Sequence, residues 1–170
     1  MWNKTLAAAL TVGVIGTISS VGWSTNEASG AAVVKYLTTA KVSLQEGLKA
    51  AESEGQPISG KFEVNDGRLQ LSVYTAKDGK FSEVLVDQNT GKVAKSEALT
   101  ESNELANAQK QMEAYGKSKT SLKAAVSKAE LANPGYRAVS VTPTVSHGLP
   151  VAVISLLQGT QVRSIAEPLT

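Results

Sequence analysis

The sequence predicts an α+β fold: two copies of a helix packed on an antiparallel β-meander, joined by a connecting helix. Three observations predict it. Ser43-Leu44-Gln45-Glu46 opens a short amphipathic stretch. Turn signals of the Asp-Gly kind then separate runs of alternating apolar residues, and the same order of signals returns 78 positions on, at Ser121.

Ser43 to Glu46 has the form of a capping box. The serine hydroxyl can accept from the Glu46 N–H, while the glutamate carboxylate reaches back to the Ser43 N–H. Leu44, Leu48 and Ala51 follow at i, i+4 and i+7, one face of a helix that Gly55 stops and Gln56-Pro57 closes. Beyond Pro57 the period changes to two. Phe62 and Val64 alternate with charged neighbours before Asn65-Asp66-Gly67. Leu69, Leu71 and Val73 alternate before Lys77-Asp78-Gly79, and Phe81 to Val86 forms a third run. Asp87 to Gly91 then turns the chain into Lys92 to Lys95. Asp-Gly between alternating runs marks hairpins, because glycine supplies the positive φ their turns demand. A meander of this kind keeps one apolar face for the helix and one wetter face.

Thr100 to Tyr115 returns to helical spacing. Leu105, Ala108, Met112 and Tyr115 form one face, Glu104, Lys110, Gln111 and Glu113 the other, and Gly116 ends the helix. Then Ser121-Leu122, Val126 and Ala129-Glu130 repeat Ser43-Leu44, Leu48 and Ala51-Glu52. After Asn133-Pro134-Gly135, Val139 and Val141 alternate, His147-Gly148 stands where Asp66-Gly67 stood, and Gln158-Gly159 matches Asp78-Gly79. Val162 to Ile165 supplies a third strand. No counterpart of the fourth is read before Thr170, and Pro168 disfavours a central strand there. A unit of about 50 residues is marginal as an independent core, so two copies sharing apolar faces or joining sheets is the expected solution.

Met1 to Gly22 reads as an export signal, with Lys4 followed by an apolar run from Leu6 through Ile18. Cleavage near Trp23 or near Ala31 both fit, and a retained N-terminal membrane anchor is the alternative. Either places the rest of the chain outside the cytoplasm, periplasmic or secreted. The expected organisation is then signal 1–22, with cleavage as late as 30 left open, a linker with a short helix at 23–42, and a first unit at 43–96. A connecting helix at 97–118 and a second unit at 119–170 complete it.

Composition narrows the function. Seventeen Lys and Arg against fifteen Asp and Glu leave a formal charge of +2, which gives no electrostatic footprint for nucleic acid. The absence of cysteine removes disulfides, thiolate metal sites and cysteine nucleophiles.

Taken together, a helix with a Ser-Leu start, three strands with Asp-Gly turns, and Val-Asp-x-x-Thr-Gly-x-Val at Val86 to Val93 resemble the PepSY domain. That domain occurs in propeptides of thermolysin-like metallopeptidases and as free secreted or membrane-attached copies. The first copy, Ser43 to Val93, carries the whole pattern. The second, Ser121 to Leu169, lacks Asp-x-x-Thr-Gly. The resemblance implies a helix against an antiparallel sheet, an extracytoplasmic location and a role in binding or restraining peptidases.

Chemical signatures are few. Asp87, Asn89 and Gly91 have a spacing superficially like a calcium loop, but a bidentate Glu at the twelfth position is replaced by Ala98. Asp87, Thr90 and Gly91 are therefore read as a structural turn. His147 is the one histidine, in Ser146-His147-Gly148-Leu149-Pro150, a hairpin turn with an exposed ring. No catalytic, cofactor or metal residue is assigned, and the chain is expected to be a non-enzymatic binding module for a protein partner, a peptidase among the candidates. The alternative is a structural envelope protein, self-associating or anchored through its N-terminus. The run Leu149 to Leu157 lacks alternation and reads as a strand buried on both faces, with an edge covered by another chain as the alternative.

Overall fold

The structure is a computed structural model that describes residues 33–170. The expectations for an export signal at 1–22 and for the start of the linker lie outside the described residues. Helical segment α1 (33–37) leads to α2 (Leu44–Ala51), then strands β1 (Gln56–Asn65), β2 (Arg68–Lys77), β3 (Lys80–Val86) and β4 (Val93–Ala98). Helices α3 (Ser102–Tyr115) and α4 (Leu122–Ala132) precede β5 (Arg137–Ser146), β6 (Leu149–Gln158) and β7 (Gln161–Pro168). The fold is α+β, with all seven strands in one antiparallel sheet of order β4-β3-β2-β1-β5-β6-β7.

The capping box starts α2 because Ser43 Oγ accepts from Glu46 N at 3.2 Å and Glu46 Oε2 accepts from Ser43 N at 2.7 Å. Leu44, Leu48 and Ala51 are buried, together with Gly47. Their partners are the inward-facing residues of the strands: Phe62, Leu71, Val73, Val84 and Val86, all buried. Each leucine buried this way contributes about 1.5–3 kcal/mol. Gly47 matters through its lack of a side chain, since a Cβ there would lie 2.9 Å from Leu71 Cγ.

At the centre, β1 and β5 pair only through Gly60 with Val141 and Lys61 with Ser140. Helices α2 and α4 lie together over this seam, where Leu122, Val126, Ala129 and Ile154 complete the core. Ser121 caps α4 through Ala124 N at 3.1 Å. Glu130 ties the layers together: Oε1 accepts from Ala138 N at 2.7 Å, and Oε2 accepts from Gln45 of α2.

Four expectations need correction. The strand period begins before Pro57, which pairs with Thr75 next to a β-bulge at Ile58; at the start of a strand and beside a bulge, proline's missing N–H is tolerated. The turn after β6 is centred on Gly159 and Thr160, because Gln158 pairs with Gln161, so Gly159 and not Gln158 takes the place of Asp78. Leu149 to Leu157 is not buried on both faces. Pro150, Ala152, Ile154 and Leu156 face the core, while Val151, Val153 and Ser155 are half-exposed on a face that α3 covers only in part. Finally, Gln111 does not face solvent. Helix α3 packs on the opposite side of the sheet from α2 and α4, over β1 and β5, and Gln111 Oε1 accepts from buried Ser59 Oγ at 2.7 Å. The buried hydroxyl of Ser59 on that face gives the amide a partner that an apolar core would deny it.

Arg137 clasps the chain leading into α2. Its guanidinium donates to the carbonyls of Leu37 at 3.1 Å, Ala40 at 3.2 Å and Val42 at 2.6 Å, and stacks over the Phe62 ring at 5.3 Å. Burial pulls its pKa down, opposed by the charges of Glu130 and Glu46.

Two outcomes follow. Gly47→Ala should destabilise the protein by about 1–3 kcal/mol in urea titration through overpacking against Leu71, although alanine is the better helix former. Arg137→Met should cost about 2–3 kcal/mol by removing charged hydrogen bonds. In that variant, amide exchange should accelerate first in residues 33–42.

Candidate functional site

Asp87, Thr90 and Gly91 close the turn between β3 and β4. Asp87 Oδ1 accepts from Asn89 N at 3.0 Å, Thr90 N at 2.8 Å and Thr90 Oγ1 at 3.0 Å. The Gly91 N–H donates to the Asp87 carbonyl at 2.8 Å, with Gly91 at φ 70°, a conformation that favours glycine. These bonds hold the Asp87 carboxyl below its usual range; the backbone N–H of Thr90 is the largest cause, followed by that of Asn89 and the Thr90 hydroxyl. With its Oδ1 engaged by three donors of its own turn, the carboxylate acts as the turn's internal cap. The turn also holds the N-terminal segment, since the Gln88 carbonyl accepts from both Lys41 N and Val42 N at 3.0 Å.

The hairpin tips Asp66-Gly67, Asp78-Gly79 and His147-Gly148 have both central residues at positive φ, as the favoured two-residue turns require. His147 is exposed, and its Nδ1 lies 3.1 Å from Ser146 Oγ. Asp66, Asp78 and His147 thus stand on separate tips and form no common site. Among the described residues, no three His, Asp or Glu side chains gather to hold a metal ion.

A different surface brings charged groups together. On the side of the sheet opposite α2, the outward-facing positions of β1 to β4 and the start of α3 shape a shallow bowl of about 410 Å³. Lys61, Glu63, Tyr74, Glu83, Lys95, Glu97 and Glu104 line it, two lysines against four glutamates. Lys61 Nζ bridges to Glu63 at 2.6 Å, and Lys95 Nζ bridges to Glu97 at 2.8 Å. Glu63 also accepts from buried Ser72 Oγ at 2.7 Å, which fixes its carboxylate from below. Tyr74 forms the floor, with Lys61 Nζ 5.9 Å from its ring centre. Burial first, then the negative charges of Glu83, Glu63 and Glu104, push its pKa well above the usual tyrosine range. Tyr74 therefore keeps its proton and remains a hydrogen-bond donor.

The strand alternation already contains this bowl, because every second residue from Lys61 to Glu97 that avoids the core falls on one face. What the alternation lacks is α3, which crosses to that face and adds Glu104 as part of the rim. Among the described residues no helix is long and apolar enough to cross a membrane. Compared with models of protein families, curated proteins and solved structures, the chain matches none.

The depressed carboxyls give a pH prediction. Glu46 is also held low, by the Ser43 backbone N–H and then the Ser43 hydroxyl. A group whose folded pKa lies below its unfolded value contributes stability above the unfolded value, about 3.9 for Asp and 4.3 for Glu. That contribution disappears as pH falls through the folded pKa. Denaturation followed by circular dichroism should therefore show stability falling below about pH 4, and Glu46→Gln/Asp87→Asn should flatten that fall.

Proposed function

We propose that this chain is an exported, non-enzymatic protein-binding module of the PepSY type, built from two copies of one unit, which restrains or modulates a peptidase of the cell envelope. The charged bowl carries the binding reading. It is open and backed by the sheet, two of its carboxylates are held in place, Glu63 by Ser72 and Lys61 and Glu97 by Lys95, and its excess of glutamate suits a basic or amide-rich segment of a partner. The PepSY reading rests on the residues Val86 to Val93 and on the helix-and-strand order.

The duplication is supported by correspondences that sequence spacing alone would not produce. The hairpin glycine at 67 and the one at 148 are 81 positions apart. At the same distance, the bulge at Ile58 returns at Val139 and buried Ser59 returns as buried Ser140. Gly60 pairs with Val141, its own counterpart, so an approximate two-fold axis passes between them. The clamp by the Gln88 carbonyl on Lys41 and Val42 also has a twin. The Leu169 carbonyl accepts from Lys119 N at 2.7 Å and Thr120 N at 3.2 Å. Between the two helices the offset is 78, and the three extra residues fall in the loop of Asn133, Pro134 and Gly135.

The test is inhibition of a thermolysin-like metallopeptidase by the purified chain, beside the triple variant Glu83→Lys/Glu97→Lys/Glu104→Lys. Inhibition that the triple variant loses, with its circular dichroism unchanged, is the expected result. Absence of inhibition, and of any protein retained from envelope extracts, overturns the reading.

A further inference from the structure

The two edges of the sheet are treated differently. On β3, the outer edge is covered by β4, a strand exposed along nearly its whole length that carries Lys95 and Glu97. Charged side chains of this kind discourage a further strand from pairing. On β7, which stands in the place of β3 at the other end, no strand among the described residues covers the outer edge. Its two charged side chains each make one polar contact with its own helix layer, through Arg163 Nη1 and Glu167 Oε2, and keep further donors or acceptors for a second partner. Arg163 donates to Asn133 Oδ1 at 3.3 Å and lies over the Tyr136 ring at 4.5 Å, while Glu167 receives Lys128 Nζ at 2.7 Å.

The β6–β7 hairpin closes with Gln158 opposite Gln161, and a two-residue loop of this kind is flanked by a hydrogen-bonded pair. Counting from it, Val162, Ser164, Ala166 and Pro168 direct their backbone groups away from β6. Proline has no N–H to offer, but it stands at the end of the ladder, where its loss removes one bond and does not interrupt the middle.

We propose that the free edge of β7 pairs antiparallel with β7 of a second copy of this chain, about a two-fold axis through Ile165. The strand is self-complementary in this register. Ser164 comes opposite Ala166 of the second copy, so that each of the two equivalent pairs can exchange both backbone hydrogen bonds. Arg163 comes opposite Glu167, bringing opposite charges together twice, and half-exposed Ile165 meets its own counterpart in a non-hydrogen-bonded pair, where side chains approach most closely. No neighbouring register of matching parity offers both charge pairs. The self-complementary pairing is what selects a second copy over an unrelated extended segment.

The chain has no cysteine, so single-cysteine variants report contacts directly. In the full chain, Ile165→Cys should form a disulfide-linked dimer on mild oxidation. Val162→Cys should not, although Val162 is 61% exposed, because the register separates the two copies of that residue by roughly 20 Å. Ser164→Pro removes an outward N–H without breaking a bond to β6, and should weaken dimerisation at least about tenfold in sedimentation equilibrium. As a check independent of proline strain, Glu167→Arg should weaken the dimer and Arg163→Glu/Glu167→Arg should restore it. A chain that stays monomeric overturns the proposal. So does cross-linking of Val162→Cys as fast as Ile165→Cys, or a dimer in which Ile165→Cys does not cross-link.

Discussion

The pairing of Gly60 with Val141 is the constraint on which the rest of the molecule depends. Only one further residue pair joins β1 to β5, so the ladder by itself is too short to hold two half-sheets together. The seam is secured from above and below. Over one face, α2 and α4 pack side by side, and Gly60 permits the close approach of α2: a Cβ there would lie 3.2 Å from Leu48 Cδ2 and 3.4 Å from Leu44 Cδ1. Beneath the other face, Ser59 and Ser140 are small enough to bring α3 down on the seam, where Gln111 meets Ser59. A large side chain at any of these positions would separate a helix from the sheet before it disturbed a strand.

Under the duplication proposed above, the two halves differ first in their internal contacts. Arg137 occupies the position that corresponds to Gln56, and it reaches across to the carbonyls of 37, 40 and 42. Glu130 sits at the position corresponding to Glu52, yet Glu52 is exposed whereas Glu130 joins α4 to both Gln45 and β5. A partly buried guanidinium is costly unless its donors are satisfied, and here three carbonyls satisfy it. These contacts run from the second half to the first, so the chain before α2 is ordered by residues 95 and more positions away. The dependence runs one way: the segment before α2 leans on the second half, whereas Lys119 and Thr120 before α4 are held by Leu169 of their own half.

Local rules made a large part of this legible in the sequence. The capping box at Ser43, the Asp-Gly hairpins and the recurrence at Ser121 depend on neighbours within a few residues, and the helices and strands follow them. What escaped depends on the third dimension. Pro57 reads as a break until the bulge beside it is known. Gln111 reads as a solvent residue until α3 is seen to rest on serines, and the run from Leu149 reads as doubly buried because hydropathy cannot say that its outer face is only half covered. For the bowl, the strand alternation supplied Lys61, Glu63, Glu83 and Glu97 on one face, but Glu104 comes from a helix whose crossing no periodicity encodes.

A second set of differences lies on the outer surfaces. On the side of the sheet away from α2 and α4, β1 to β4 present glutamates, lysines and a tyrosine, while the same side of β5 to β7 presents Thr142, Thr144, Val151, Val153 and Ser164. The core positions beneath them stay apolar in both: Leu71 and Val73 correspond to Ala152 and Ile154. Under the duplication proposed above, packing constrained the inner face of each copy, because a polar residue there would lose its hydration without gaining a partner. The outer face carried no such penalty and was free to change. One half carries charge over a surface backed by a full meander and bordered by β4. The other carries an uncharged surface on that side, and no strand among the described residues covers its edge, so the self-pairing proposed for β7 lies at the far end of the sheet from the charged bowl.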